Sequence, residues 1–129
     1  RSLIGFNYAA MQNELSGANI RAVWLTLTNV FWYNRTGTAH IGTHKFTDPL
    51  GPLPFTDMSK VTKKRWRLQN WPEGQTKTIV LGGGIGSEIQ TGITTGILIG
   101  PGESDSLEFY GAFAGVSRQD RPYLTIQYT

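Results

Sequence analysis

His40 and His44 stand four residues apart and are the only imidazoles in the chain. On a strand that spacing puts both on one face but ~13 Å apart, at ~3.3 Å per residue, too far to hold one metal ion. Both are expected to be structural, and no metal site is expected. A serine nucleophile would need one of them as its base, yet no Gly-x-Ser-x-Gly elbow occurs. Glu103, Asp105 and Glu108 are the only close carboxylates that could flank a glycosidic bond, and Glu103 and Asp105 follow Pro101-Gly102, where acids serve turn geometry. Asp48, Asp57 and Asp105 lack the spacing of a calcium loop. The run Gly82-Gly-Gly-Ile-Gly86 has neither the Lys-Ser/Thr of a phosphate loop nor a dinucleotide register, and reads as a flexible connection. With no cysteine, thiol catalysis, thiolate metal sites and disulfides are excluded. The inventory offers no catalytic set and calls for no cofactor, so no turnover is expected.

What remains is aromatic. Trp24, Trp32, Trp66 and Trp71, with Tyr8, Tyr33 and Tyr110, exceed what a core of this size requires. Sugars bind by laying their C–H faces on such rings beside amide and hydroxyl groups. Trp66 and Trp71 stand next to Arg65, Arg67, Gln69 and Asn70, which makes this group the first candidate ligand surface. Either ring could instead cap the end of the fold. Trp24 and Trp32 form the second candidate. Lys60, Lys63, Lys64, Arg65 and Arg67 surround Trp66, and cations with an interleaved ring could track a nucleic-acid backbone. No nucleic-acid fold signature accompanies them, so a solvated loop is expected, with no nucleic-acid partner. No segment approaches the ~20 apolar residues of a membrane span, and no membrane partner is expected.

These residues must be carried by a β scaffold. The strongest strand signal is Ala22 to Tyr33, rich in β-branched and aromatic residues and free of Gly and Pro. Val23, Leu25 and Leu27 alternate with Trp24, Thr26 and Thr28, so Leu25 should face the core and Thr26 should tolerate truncation. From Val30 onward both faces are apolar, which calls for a bulge near Asn29 or cover on both sides. Asn34 to Gly37 reads as a turn and Thr38 to Phe46 as the antiparallel hairpin partner. Before the spine, Asn7 can cap a short helix from Tyr8 to Leu15 that Gly17 stops. After it, Pro49, Pro52 and Pro54 make Thr47 to Asn70 a long loop, the usual seat of binding residues. Thr76 to Leu81, Gly96 to Ile99, Ser106 to Ala112 and Tyr123 to Tyr128 read as further strands, with a helical turn around Ser87 to Thr91.

Abundant Gly, scarce helix formers and short apolar runs give an all-β, antiparallel two-sheet jelly-roll sandwich with one or two short helices. At 129 residues the chain makes one domain, 1–129. It begins at Arg1, already inside a strand-like run, and a fragment or processed product of a longer chain is expected.

Three stretches carry a resemblance: Arg1-x-Leu3-Ile4-x-Phe6-Asn7, Ser16-Gly17-Ala18-x-Ile20 leading into Val23, Leu25 and Leu27, and Arg121-Pro122-x-Leu124-x-x-x-Tyr128. Together they resemble the DNRLRE-type jelly-roll domains of secreted and surface proteins. Phe31-Trp-Tyr-Asn34, Gly37-Thr38-Ala39-x-Ile41-Gly42-x-His44, Gly96-Ile97-x-Ile99-Gly100-Pro101-Gly102 and Phe109-Tyr110-Gly111 are similar to the C-terminal domains of minor tail proteins from phages of actinobacteria. Such domains carry a further strand ahead of the Arg1 position. The resemblance implies a virion tail-tip location and a non-catalytic receptor-binding domain that recognises a host cell-wall or surface polysaccharide. The alternatives it leaves are a carbohydrate-binding module of a secreted enzyme, or a structural domain capping a tail fibre as a homotrimer.

Overall fold

A computed structural model describes residues 2–32, 37–47, 61–100, 111–115 and 117–129. The turn around Asn34, the Pro-rich stretch 48–60, the carboxylates Glu103, Asp105 and Glu108, and the side chains of Trp32, Lys63 and Lys64 lie outside the described residues, as do Tyr33 and Tyr110. The described elements run β1 (Ser2–Gly5), α1 (Tyr8–Glu14), β2 (Ile20–Trp32), β3 (Gly37–His44), β4 (Val61–Trp71), β5 (Thr76–Val80), α2 (Gly83–Gln90), β6 (Gly96–Gly100), β7 (Gly111–Phe113) and β8 (Tyr123–Tyr128). They form two antiparallel sheets. One is ordered β1-β6-β3-β4, and the other is built on β2, with β5 on one edge and β7 and β8 on the other. The chain is an all-β two-sheet sandwich with two short helices.

The 13 residues of β2 explain its place at the centre of its sheet. It is long enough for β8 to pair with Ile20–Thr26 and β7 with Asn29–Trp32 along the same edge. Backbone direction confirms the edges: the Thr28 carbonyl accepts from Ala114 N at 2.9 Å, whereas Asn29 N donates the other way, to the Gln75 carbonyl. Val23, Leu25 and Leu27 point inward and are completely buried against Ala39 and Ile41 of β3 and Ile97 and Ile99 of β6. A bulge separates Asn29 from Phe31, and the buried Asn29 side chain stabilises it. Its Nδ2 donates to the Trp71 carbonyl at 2.7 Å and its Oδ1 accepts from Phe31 N at 3.1 Å. Both polar ends are therefore satisfied inside the core.

Four expectations change. β3 is not the hairpin partner of β2. It lies in the opposite sheet, between β4 and β6. Alternation reports which side chains face a core and not which strand sits alongside. Residues 61–71 are a strand rather than loop, because an edge strand tolerates cations on its open side. Thr26 is only 5% exposed and its hydroxyl bonds that of Thr78 at 3.0 Å, so truncation removes a made hydrogen bond, about 1 kcal/mol. The glycine run is the first turn of α2, which buries Ile85 and Ile89. A Cβ on Gly86 would stand 2.5 Å from Ile20 Cγ2, so glycine is what lets α2 lie this close to the start of β2. α2 is tied to α1 by Gln90 Nε2, which donates to the carbonyls of Leu15 and Ala18.

Candidate ligand surface

The first candidate group does not assemble. On β4, Trp66 stands opposite Ile41 and Leu68 opposite Ala39, and both pack against the core, while Arg67 and Gln69 alternate to the exposed side. Arg65 is already engaged: its two terminal nitrogens donate to the Glu88 carboxylate at 2.7 and 2.8 Å, and its guanidinium lies 4.7 Å from the centre of the Trp66 ring. The Arg65 hydrogen bonds hold the Glu88 carboxyl below its ordinary range. Thr94 Oγ1 adds a third bond to that carboxylate at 3.1 Å. The function of Arg65 is thus to fasten β4 to α2.

Trp71 belongs to the core. It has no exposed surface, its ring meets Phe113 edge-on at 4.7 Å, and its Nε1 donates to the Gln75 carbonyl at 2.8 Å. Together with the Asn29 bond it joins β4 of one sheet to β2 and β7 of the other. A ring held on every side cannot stack on a ligand, and the expectation for Trp71 is corrected accordingly. Asn70, at φ 57°, takes the left-handed conformation that turns the chain into Trp71. Lys77 Nζ donates to the carbonyls of Gln69 and Asn70 at 3.1 and 2.9 Å, capping this corner.

Trp24 has the opposite setting. It projects from the face of β2 away from Leu25, and its cross-strand neighbours are Val80 on β5 and Thr125 on β8. The next row sets Thr78, Thr26 and Tyr123 side by side, and Thr28 faces Thr76 beyond it. Tyr123 is 57% exposed and Val80 65%. Trp24, half-buried, and Tyr123 are diagonal neighbours on adjacent strands, roughly 7 Å apart at Cβ, on one face of the sheet. Two hydroxyl pairs, Thr26 with Thr78 at 3.0 Å and Thr28 with Thr76 at 2.7 Å, lock β2 to β5. No charged side chain stands in these rows. Among the described residues this face thus combines two aromatic side chains, the Gln127 amide and a line of threonines without a charge, with Thr26 and Thr28 themselves buried.

By residue type the sequence singles out Trp24, the second candidate, but not Tyr123, Val80, Thr78 or Thr125. The alternation Tyr123, Thr125, Gln127 was the available signal, and it reads as an outward row once β8 is placed beside β2. Among the described residues no group of three or more His, Asp or Glu side chains could hold a metal ion, and no helix is long and apolar enough to cross a membrane. A surface cleft of about 380 Å³ is lined by Arg118, Gln119 and Asp120, where Arg118 and Asp120 pair with each other at 2.9 Å. His44 is buried, with Nε2 3.0 Å from the Ile4 carbonyl and Nδ1 3.2 Å from Phe46 N, and burial pushes its pKa below the ordinary 6.5. Both nitrogens serve the backbone. Comparison of the chain with protein-family models, with curated proteins and with solved structures finds no significant match.

Proposed function

We propose that the domain is a non-catalytic recognition module whose outer β2 face holds an uncharged host-surface polysaccharide, and that it serves at the tip of a phage tail. The observation that carries the reading is the register of Trp24 and Tyr123: two aromatic residues on adjacent strands and on one face of the sheet, bordered by Thr78, Thr125 and Gln127, with no charge among them. Stacking on the C–H faces of a sugar needs such rings at fixed spacing. Hydroxyl and amide groups beside them suit hydroxyl-bearing ligands. The absence of charge selects against uronic acids and phosphates, which would be desolvated here without a counter-charge. The placement on a tail rests on the resemblance of the strand motifs around Phe31, Gly37 to His44 and Gly96 to Gly102.

The test is binding of the purified domain to an array of neutral and anionic bacterial polysaccharides. Binding to neutral members is expected, unchanged by added salt because no ion pair is involved. Tyr123→Ala should weaken it by about 2 kcal/mol, roughly thirtyfold, with unfolding barely altered because that ring is mostly exposed. Arg67→Ala should leave it intact. Binding confined to anionic members, or full binding by both Tyr123→Ala and Trp24→Ala, refutes the reading.

A further inference from the structure

The open edges of the two sheets are built differently. β4, at the edge of the first sheet, departs from regular pairing twice, between its partners Gly37 and Ala39 and between Ile41 and Thr43. Its sequence carries Lys63, Lys64, Arg65 and Arg67, and Asn70 breaks its line with positive φ. Bulges and cations are how an edge is kept from pairing with another chain. β5, at the edge of the second sheet, has none of these. It holds unbroken register with β2 over Thr76–Val80, contains no Gly or Pro, and its one cation, Lys77, is turned back onto the carbonyls of Gln69 and Asn70.

The backbone of β5 also points the right way. Leu81 N donates to the Val23 carbonyl and Asn29 N to the Gln75 carbonyl, so the odd positions bond β2. By alternation, the N–H and C=O groups of Thr76, Thr78 and Val80 face away from it. All three residues are exposed, and among the described residues no strand pairs with this edge.

We infer that β5 pairs with β5 of a second copy of this chain, antiparallel about a twofold axis at Thr78. That register sets Thr76 against Val80 and Lys77 against Ile79, so no like charges meet, and the edge is complementary to itself. It supplies about six backbone hydrogen bonds between the chains. The two β2 sheets become one, and because the axis is perpendicular to the sheet, the Trp24 and Tyr123 rows of both copies face the same way. The inference stands independently of what those rows bind.

Sedimentation velocity of the domain at rising concentration tests it. A monomer–dimer equilibrium is expected. Thr78→Pro removes the N–H at the axis while sparing the ladder to β2, and Val80→Lys places a charge on the edge. Each should leave the protein monomeric at concentrations where the parent is dimeric. Should Thr78→Pro fail to fold, Val80→Lys decides alone, since Val80 is 65% exposed. A parent that stays monomeric throughout, a trimer, or a dimer that survives Val80→Lys overturns the inference.

Discussion

Gly96→Ala should be among the most damaging single-methyl additions to this protein. Gly96 lies in register between Gly5 of β1 and His44 of β3, and the His44 ring crosses over it to reach the Ile4 carbonyl. A Cβ at Gly96 would overlap both the ring and the Ile4 carbonyl oxygen. Because Nδ1 accepts from Phe46 N, Nε2 carries the proton and donates to Ile4. Displacing the ring leaves a donor and an acceptor unsatisfied at about 1–3 kcal/mol each, and the overlap adds about 1–3 more. The loss is roughly 3 to 9 kcal/mol, and its lower end is already a large share of the ~5–15 kcal/mol that stabilises a typical domain. Urea unfolding followed by tryptophan fluorescence reads it. His44→Ala in the same chain should rescue only part, because the Ile4 oxygen is backbone and stays in the way. A loss under about 1 kcal/mol, or full rescue by His44→Ala, would refute the packing argument.

His44 also sets a pH dependence. Burial lowers its folded pKa below 6.5, so the unfolded chain takes up the proton first; its stabilisation is whole above 6.5 and declines as pH falls through that value toward the folded pKa. Glu88, held below its ordinary 4.5 by Arg65, loses its contribution only under that pH, which separates the two groups. Unfolding midpoints measured from pH 7.5 to 5 should drop in the parent and stay level in His44→Gln, and an unchanged slope in the variant would assign the effect elsewhere. Trp71→Ala should cost about 3–5 kcal/mol, measured the same way, since it opens a cavity between the sheets. A near-neutral result there would return Trp71 to the list of ligand-binding residues.

The spine strand, α1, β5, β6 and β8 were legible because each carries a local signal: alternation in Val23 to Leu27, Ala and Met at helical spacing before Gly17, and Tyr123 to Tyr128 alternating to the end of the chain. What was not legible is non-local. The partner of β3 is decided by residues 61–71 and 96–100, far along the chain. Lys-Lys-Arg-Trp-Arg reads as a solvated loop by composition and is a strand because the sheet supplies the hydrogen bonds. Gly83-Gly84-Ile85-Gly86 has poor helix propensity and is helical because Ile85 and Ile89 reach the core and Gly86 clears Ile20. The proposed ligand surface was half visible: Trp24 stood out by type, but Tyr123, some hundred residues later, becomes its neighbour only through the pairing of β2 with β8.

The most direct test of the proposed surface uses the tryptophan indole N–H signals in a two-dimensional nitrogen–proton NMR spectrum. Trp24 lies on the outer face, Trp66 packs under Arg65, and Trp71 is buried with its N–H bonded to Gln75. Titration with the best neutral polysaccharide fragment from the array should move the Trp24 indole signal and the backbone signals of Tyr123 and Thr125, leaving the Trp66 and Trp71 indoles in place. Shifts centred on Trp66, Arg67 and Gln69 with Trp24 unmoved would contradict the account and put recognition back on β4.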